Sequence, residues 1–199
     1  MYKSLSEMTL EELWELFPII LSEHKSCWGH WYEEEKQNIM SLLHDEILRI
    51  SHIGSTAINS IMAKPIIDIL VEIPKNVSMA DIKKKLADSG YICMWEGENR
   101  KSFNKGYTDK GFAEKVFHLH LRYYGDNDEL YFRDYMNDHP ALAKEYEKLK
   151  ISLRKKYEHN RDAYTQAKTA FISKYTQSAK IKYVNRYEAP PCLPGKETT

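Results

Sequence analysis

The chain has 199 residues, 42% hydrophobic and 29% charged, which suits one well-buried core and excludes disordered and collagen-like polymers. Lysine plus arginine equals aspartate plus glutamate at 29 each, so no global field exists of the kind that drives strong sequence-independent nucleic-acid binding. No run approaches the ~20 apolar residues of a membrane span, and the start MYKSLSEMTLEELWEL is acidic and amphipathic, so the expected location is the cytoplasm, away from membranes.

Thr9-Leu-Glu-Glu12 fits a capping box and starts a short helix that Pro18 limits. Trp28, Tyr32, Ile39, Leu42 and Leu43 recur at helical spacing through a charged run, predicting an amphipathic helix that ends near His44. Ile47 to Ile53 reads as a strand running into a tight loop at Gly54, followed by a helical turn around Thr56 to Ile61 and a strong strand from Pro65 to Ile73. Ser78 with Asp81 starts a helix that stops at Gly90. Strands are then expected at Tyr91 to Trp95 and Ser102 to Tyr107, the second weakened by Asn104 and Gly106.

Glu114 to Tyr124 alternates in a way that separates two faces. Phe117, Leu119, Leu121 and Tyr123 share one; Val116, His118, His120 and Arg122 share the other. One face is core and the other carries chemistry or meets solvent. Beyond Gly125 the pattern turns helical, with Leu142, Tyr146, Leu149 and Leu153 in one stripe and Tyr164, Ala167, Phe171, Ile172 and Tyr175 in another. After Ser178 the periodicity fades, and Pro190, Pro191, Pro194 and Gly195 indicate an extended tail. Cys27, Cys93 and Cys192 are too widely spaced for a disulfide framework or a zinc knuckle and read as inert thiols.

Charge is nevertheless uneven along the chain. Residues 140–186 carry 12 Lys or Arg against 4 Asp or Glu, so a basic helical segment stands beside an acidic remainder. That segment either presents cations to an anionic small molecule or is simply a solvated face.

His52-Ile-Gly54-Ser55-Thr56 lies where a strand meets a helical turn, a place where glycine lets a phosphate approach the backbone and a serine adds a hydroxyl. On the following strand, Asp68 stands inside the apolar run Ile66-Ile67-Asp68-Ile69-Leu70. A buried carboxylate needs a cation, a metal or donors around it, with a salt bridge to Lys64 as the purely structural alternative. His118 and His120, two apart on a strand, point the same way about 6.6 Å apart. They are candidates to converge with Asp68 on one divalent metal (Mg, Mn or Zn), or to hydrogen-bond across a polar sheet face.

The ordered segments HIGSTAINSIMAKPIIDILVEI, FHLHLRYYG, YFRDYMNDHPALAKEYEKLK and RDAYTQAKTAFI, spread between Trp28 and Tyr175, resemble the GrpB family, a nucleotidyltransferase-like group of the DNA polymerase β type. The resemblance implies an α/β (α+β) fold, a mixed sheet with packed helices, and a pocket joining the Gly-Ser turn, Asp68 and the His118/His120 strand. Residues 1–178 form the expected single domain, with 27–124 as its sheet-containing core, 128–178 as C-terminal helices and 179–199 as an extended tail. The implied activity is nucleotidyl transfer from a nucleoside triphosphate to an unspecified acceptor. In that scheme Ser55, Asp68, His118 and His120 are catalytic. His52, Gly54, Ser55, Thr56, Lys64, Arg133 and Lys168 bind a nucleotide or other phosphorylated small molecule.

One departure from the superfamily pattern counts against two-metal chemistry. Leu70 stands where a second acid is expected, and Glu72 shares the face but lies about 13 Å from Asp68 along the strand. The alternative is a protein that binds a nucleotide or phosphometabolite without turnover. The third histidine of histidine-triad hydrolases is replaced by Arg122, the glycine of class I synthetase signatures is followed here by Ser55, and the helical third of the chain excludes a cupin barrel.

Overall fold

A computed structural model describes residues 3–188. The capping box closes as the sequence predicts: Thr9 Oγ1 accepts from the Glu12 N–H at 3.2 Å and Glu12 Oε2 accepts from the Thr9 N–H at 2.8 Å. Helix α1 (Leu10–Leu16) follows, and α2 (Cys27–Leu43) buries Trp28, Tyr32, Ile39 and Leu43 before ending at His44.

Five strands, β1 (Arg49–Ile53), β2 (Ile67–Ile73), β3 (Ile92–Glu96), β4 (Arg100–Thr108) and β5 (Gly111–Tyr123), lie in the spatial order β1-β2-β5-β4-β3. The β2–β5 pair is parallel and the other pairs are antiparallel, so the sheet is mixed. The turn after β1 is shorter than the Thr56 to Ile61 expected, a 3-10 turn at Ser55–Ala57. Gly106 does not end β4. Its φ of +89° falls where the register with β5 shifts between Lys105 and Tyr107, so the glycine makes a bulge.

Alternation along β5 sorts the two faces as read. Phe117, Leu119 and Leu121 join Ile67, Ile69, Val71 and Ile73 of β2 in the main core, covered by α2 and by Met79, Ile82 and Leu86 of α3 (Met79–Asp88). The opposite face carries Asp68, Leu70 and Glu72 beside His118, His120 and Arg122. Above it stand α4 (Asp128–Asp138), α5 (Pro140–Tyr157), α6 (Arg161–Ala167) and α7 (Thr169–Lys182). A second core joins Phe132, Met136 and Tyr146 of these helices to Ile58 and Ile61, with Phe171, Ile172 and Tyr175 packed against it.

The expected extended tail begins too early. Helix α7 runs to Lys182, turns continue to Glu188, and the Tyr187 ring meets Tyr131 edge-on while its hydroxyl donates to Asp134. A single aromatic side chain docking at this distance carries no periodic signal. Pro190, Pro191, Cys192, Pro194 and Gly195 lie outside the described residues. Cys27 and Cys93 are free thiols, and no helix among the described residues is long and apolar enough to cross a membrane.

Glu72 is fully buried and both of its oxygens are engaged. Oε2 accepts from Arg49 at 3.1 Å, and Oε1 accepts from the Gly125 N–H at 2.9 Å and from Asn127 Nδ2 at 3.1 Å. Removing the acceptor takes a partner from three donors at once and leaves the Arg49 charge without its carboxylate. Glu72→Ala is expected to cost about 3–5 kcal/mol in equilibrium urea unfolding, and Glu72→Gln, which keeps an acceptor oxygen, distinctly less. Equal losses for the two variants would contradict this role.

Candidate functional site

The pairing registers align one residue from each strand in a single row across the polar face. Ile53, Asp68, His118, Asn104 and Ile92 are consecutive lateral neighbours from β1 to β3. Lateral neighbours in a sheet point the same way, so Asp68 and His118 meet because β2 and β5 are adjacent and parallel in this register. A cavity of about 1410 Å³ opens over the row, closed on the far side by the C-terminal helices.

Gly54 is required where β1 turns away. Its φ is +70°, and a Cβ placed there would sit 2.2 Å from Asp68 Oδ2. Thr56 anchors the turn: its hydroxyl donates to the Ile66 carbonyl at 3.2 Å and meets His52 Nε2 at 3.0 Å. Ser55, between them, lines the cavity and bonds to the Tyr146 hydroxyl; burial raises that phenol to about 12 against the serine's opposing pull.

Around Asp68 a chain of donors runs in one direction. Arg161 Nη2 donates to the Tyr107 hydroxyl at 2.8 Å, and Tyr107 Oη lies 2.8 Å from His118 Nε2. His118 Nδ1 lies 3.3 Å from Asp68 Oδ1, with His120 Nε2 at 3.6 Å from the same oxygen. Burial pushes the His118 imidazole down, opposed by Asp68 and reinforced by Lys64 and Arg161, and the net shift is downward. With Arg161 donating to the Tyr107 oxygen, the arrangement suits a neutral ring that accepts from Tyr107 at Nε2 and turns Nδ1–H toward Asp68. Burial works to raise the Asp68 carboxyl, but the two imidazoles outweigh it and hold the group well below the usual carboxylate range.

Cations surround this carboxylate in excess. Lys64 precedes β2, Lys150 comes from α5, Arg161 opens α6, and Lys168 joins α6 to α7; all four line the cavity. Burial and mutual repulsion push Lys64 and Lys150 down to about 7, and burial alone takes Lys168 to about 8 against the pull of Asp68. Lys150 donates to the Met62 carbonyl. The Lys64 and Lys168 ammonium groups lie 5.8 and 4.4 Å from the Tyr164 ring, and neither ammonium has a hydrogen-bond or salt-bridge partner among the described residues. The Lys64–Asp68 salt bridge weighed from the sequence does not form; the imidazoles take that carboxylate instead.

Two of the residues expected to bind ligand are elsewhere. His52 faces the opposite side of the sheet, stacked on Tyr32 with centroids 4.8 Å apart, and burial drops it to about 4. Arg133 donates to the His52 carbonyl at 2.8 Å and to the Tyr187 hydroxyl at 3.1 Å and pairs with Asp134 at 2.7 Å, fastening α4 to β1. Gly54, Ser55, Thr56, Lys64, Asp68, His118, His120 and Lys168 do line one cavity. Sequence reasoning missed Tyr107, Arg161 and Lys150. Lys150 left a signal, a lysine four residues after Tyr146 on an otherwise apolar helix stripe, and Arg161 opens one of the segments quoted above; Tyr107 left none.

A pair of paired carboxylates for two metal ions does not fit here. Leu70 packs with Ile53 and Leu130, Glu72 is consumed by Arg49 and Asn127, and both nitrogens of His118 are engaged. Among the described residues no group of three or more His, Cys, Asp or Glu is disposed to hold a metal ion.

Gly54→Ala brings a methyl against Asp68 and forces a strained φ, while Gly90→Ala, at φ +85° with nothing within 4 Å, meets only the backbone strain. Urea unfolding is expected to show a loss of about 1–3 kcal/mol for the backbone strain common to both and a clearly larger one for Gly54→Ala. Equal losses would mean that the close approach to Asp68 is unimportant.

The family described as GrpB protein matches residues 18–178. The glutamate-rich protein GrpB of Alkalihalophilus pseudofirmus is 36% identical over 163 residues, covering 77% of this chain and 91% of that protein. The UPF0157 protein YqkA of Bacillus subtilis is 34% identical over 165 residues; these are 81% of this chain but only 47% of YqkA. Among solved structures, conserved protein GrpB from Enterococcus faecalis superposes with a TM-score of 0.72 at 29% identity, over 82% of this chain and 99% of that one. The matched residues run from before α2 into α7 and include the Gly-Ser turn, Asp68, His118, His120, Lys64, Lys150, Arg161 and Lys168. On this match the chain belongs to the GrpB family.

Proposed function

We propose that this cleft binds a nucleotide or another phosphorylated small molecule, with Lys64, Lys168 and Arg161 on the phosphate oxygens and the Ser55 hydroxyl as an added donor. One observation carries the reading: Lys64 and Lys168 converge on one cavity without an acid partner, and they are pushed down by burial and, for Lys64, by its cationic neighbours. Asp68 already faces two imidazoles, and of the cavity's other acids Asp128 is paired with Lys180 and Glu129 with Arg122, so Lys64, Lys150, Arg161 and Lys168 are left in excess. A phosphate would balance them, and charge-assisted bonds to it are the strong class.

The juxtaposition of Gly54-Ser55 with Asp68 on the neighbouring strand favours a second, finer reading, nucleotidyl transfer from a nucleoside triphosphate to an acceptor. Divalent Mg, Mn or Zn on Asp68, His118 and His120 would have to replace the Asp68–His118 hydrogen bond, so no step is assigned to a metal here. Release of pyrophosphate from a nucleoside triphosphate, lost in Asp68→Asn, is the expected sign of transfer; binding without release leaves the non-catalytic reading.

Isothermal titration with a nucleoside triphosphate, with and without a chelator, tests the binding itself. Lys64→Met and Lys168→Met are each expected to weaken it about 10- to 100-fold, the worth of one charge-assisted contact. Affinities unchanged in both variants would refute the assignment.

The pH dependence follows from the lowered lysines. A folded-state value below the unfolded one means that the unfolded chain holds more protons, so these groups destabilise the empty protein below about pH 7 and that penalty fades as pH rises toward the unfolded lysine range. A bound phosphate reverses the shift. Binding at pH 7.5 should therefore take up protons, seen as a dependence of the titration heat on buffer ionisation enthalpy, and should weaken toward pH 9. Proton release on binding would contradict the scheme.

A further inference from the structure

Helix α1 has an apolar stripe without a core to bury it. Leu10, Leu13 and Trp14 stand at helical spacing on one face, yet α1 has no buried residue, and these three side chains line the cavity. Facing the same space from the sheet's far edge are Ile92 and Met94 of β3, 49% and 59% exposed, with Leu10 at 49%. An amphipathic helix ordinarily spends its apolar stripe on packing. Here the stripe, like the β3 edge, is turned to the interior of a cleft whose other wall is cationic.

The register gives the spacing between the two compartments. Ile92 and His118 are two strands apart in the same row, separated only by Asn104, which is about 10 Å at ~4.8 Å per strand. The cavity is also larger than a phosphate group needs: about 1410 Å³, against roughly 300–1,000 Å³ for the usual small-molecule site.

Resting on the phosphate reading above, we infer that the ligand is a phosphate ester with an extended apolar part, its anionic end on Lys64, Lys168 and Arg161 and its apolar part on Leu10, Leu13, Trp14, Ile92 and Met94. Charge complementarity fixes the direction. The apolar end cannot lie among Lys64, Lys150, Arg161 and Lys168 without stripping their hydration for no return, and on the β3 side the phosphate would meet only Arg100, whose fork is already closed on both oxygens of Asp126. Recognition then divides into a charge that orients the ligand and an apolar length that selects it.

The test is a titration series on the full chain with n-alkyl monophosphates from methyl to hexyl, with hexanol as the uncharged control. Affinity is expected to rise about three- to fourfold per methylene once the chain reaches the apolar wall, while hexanol binds far more weakly than hexyl phosphate. The double variant Ile92→Asp/Met94→Asp, at exposed edge positions where folding is not at stake, should collapse the hexyl-to-methyl ratio. Lys64→Met should weaken every member alike and leave that ratio standing. A flat series with measurable methyl phosphate binding overturns the apolar compartment alone, as does a ratio that survives the double variant. Failure of every phosphate to bind overturns the phosphate site as well. A ligand-free dimer that hexyl phosphate cannot dissociate or enter would assign the apolar face to a second copy of the chain and overturn the inference.

Discussion

The Asp68 carboxylate is the charge around which the second face of the sheet is arranged. A carboxylate in the middle of an apolar strand is tolerable only if its surroundings supply donors, and the parallel pairing of β2 with β5 brings His118 directly alongside, with His120 within reach of the same oxygen. Gly54 lacks the Cβ that would collide with that carboxylate. The Gly-Ser turn, the acid and the imidazoles are thus one steric and electrostatic unit.

That unit does not neutralise its surroundings. Lys64 arrives from the β2 approach, and Lys150, Arg161 and Lys168 from the C-terminal helices and the joint between the last two, far from Lys64 in sequence. Their mutual repulsion in a partly dry cleft is a standing cost of the empty fold. Folded proteins keep such an arrangement where something else brings the compensating charge, which is the place the proposed phosphorylated ligand would take. Elsewhere on the same face the charges are closed within the protein. Glu72 is shared among Arg49, Gly125 and Asn127, and Arg122 is held by Asp126 at 3.7 Å and Glu129 at 3.6 Å. The polar face therefore has a structural end and an open end, and the open end is the cleft.

Much of this was legible along the chain. Local rules gave the capping box at Thr9, the helix from Cys27 to Leu43 and the two-faced character of β5, because each depends on residues a few positions apart. The ordered set of four segments carries the family resemblance on its own. Gly106 weakens a strand by its sequence and makes a bulge within one in the fold, since the same glycine serves either purpose and only the partner strand decides. His52 and Arg133 sit in segments that reach the site, yet neither side chain lines the cavity. Neighbouring residues on β1 point to opposite faces, and Arg133 finds the His52 carbonyl and Tyr187 before it finds the cavity.

The sequence by itself determined which strand residues would be core, that Asp68 must have partners, and that Leu70 removes the second acid, since side-chain direction and burial cost follow from periodicity and composition. Only the tertiary structure decided who those partners are. The choice of His118 over Lys64 for Asp68, the chain from Arg161 through Tyr107, the convergence of four cations, and the turning of the α1 stripe into the cleft all depend on strand order and helix docking. These are set by contacts between residues tens of positions apart, and no local pattern encodes a distance across a sheet.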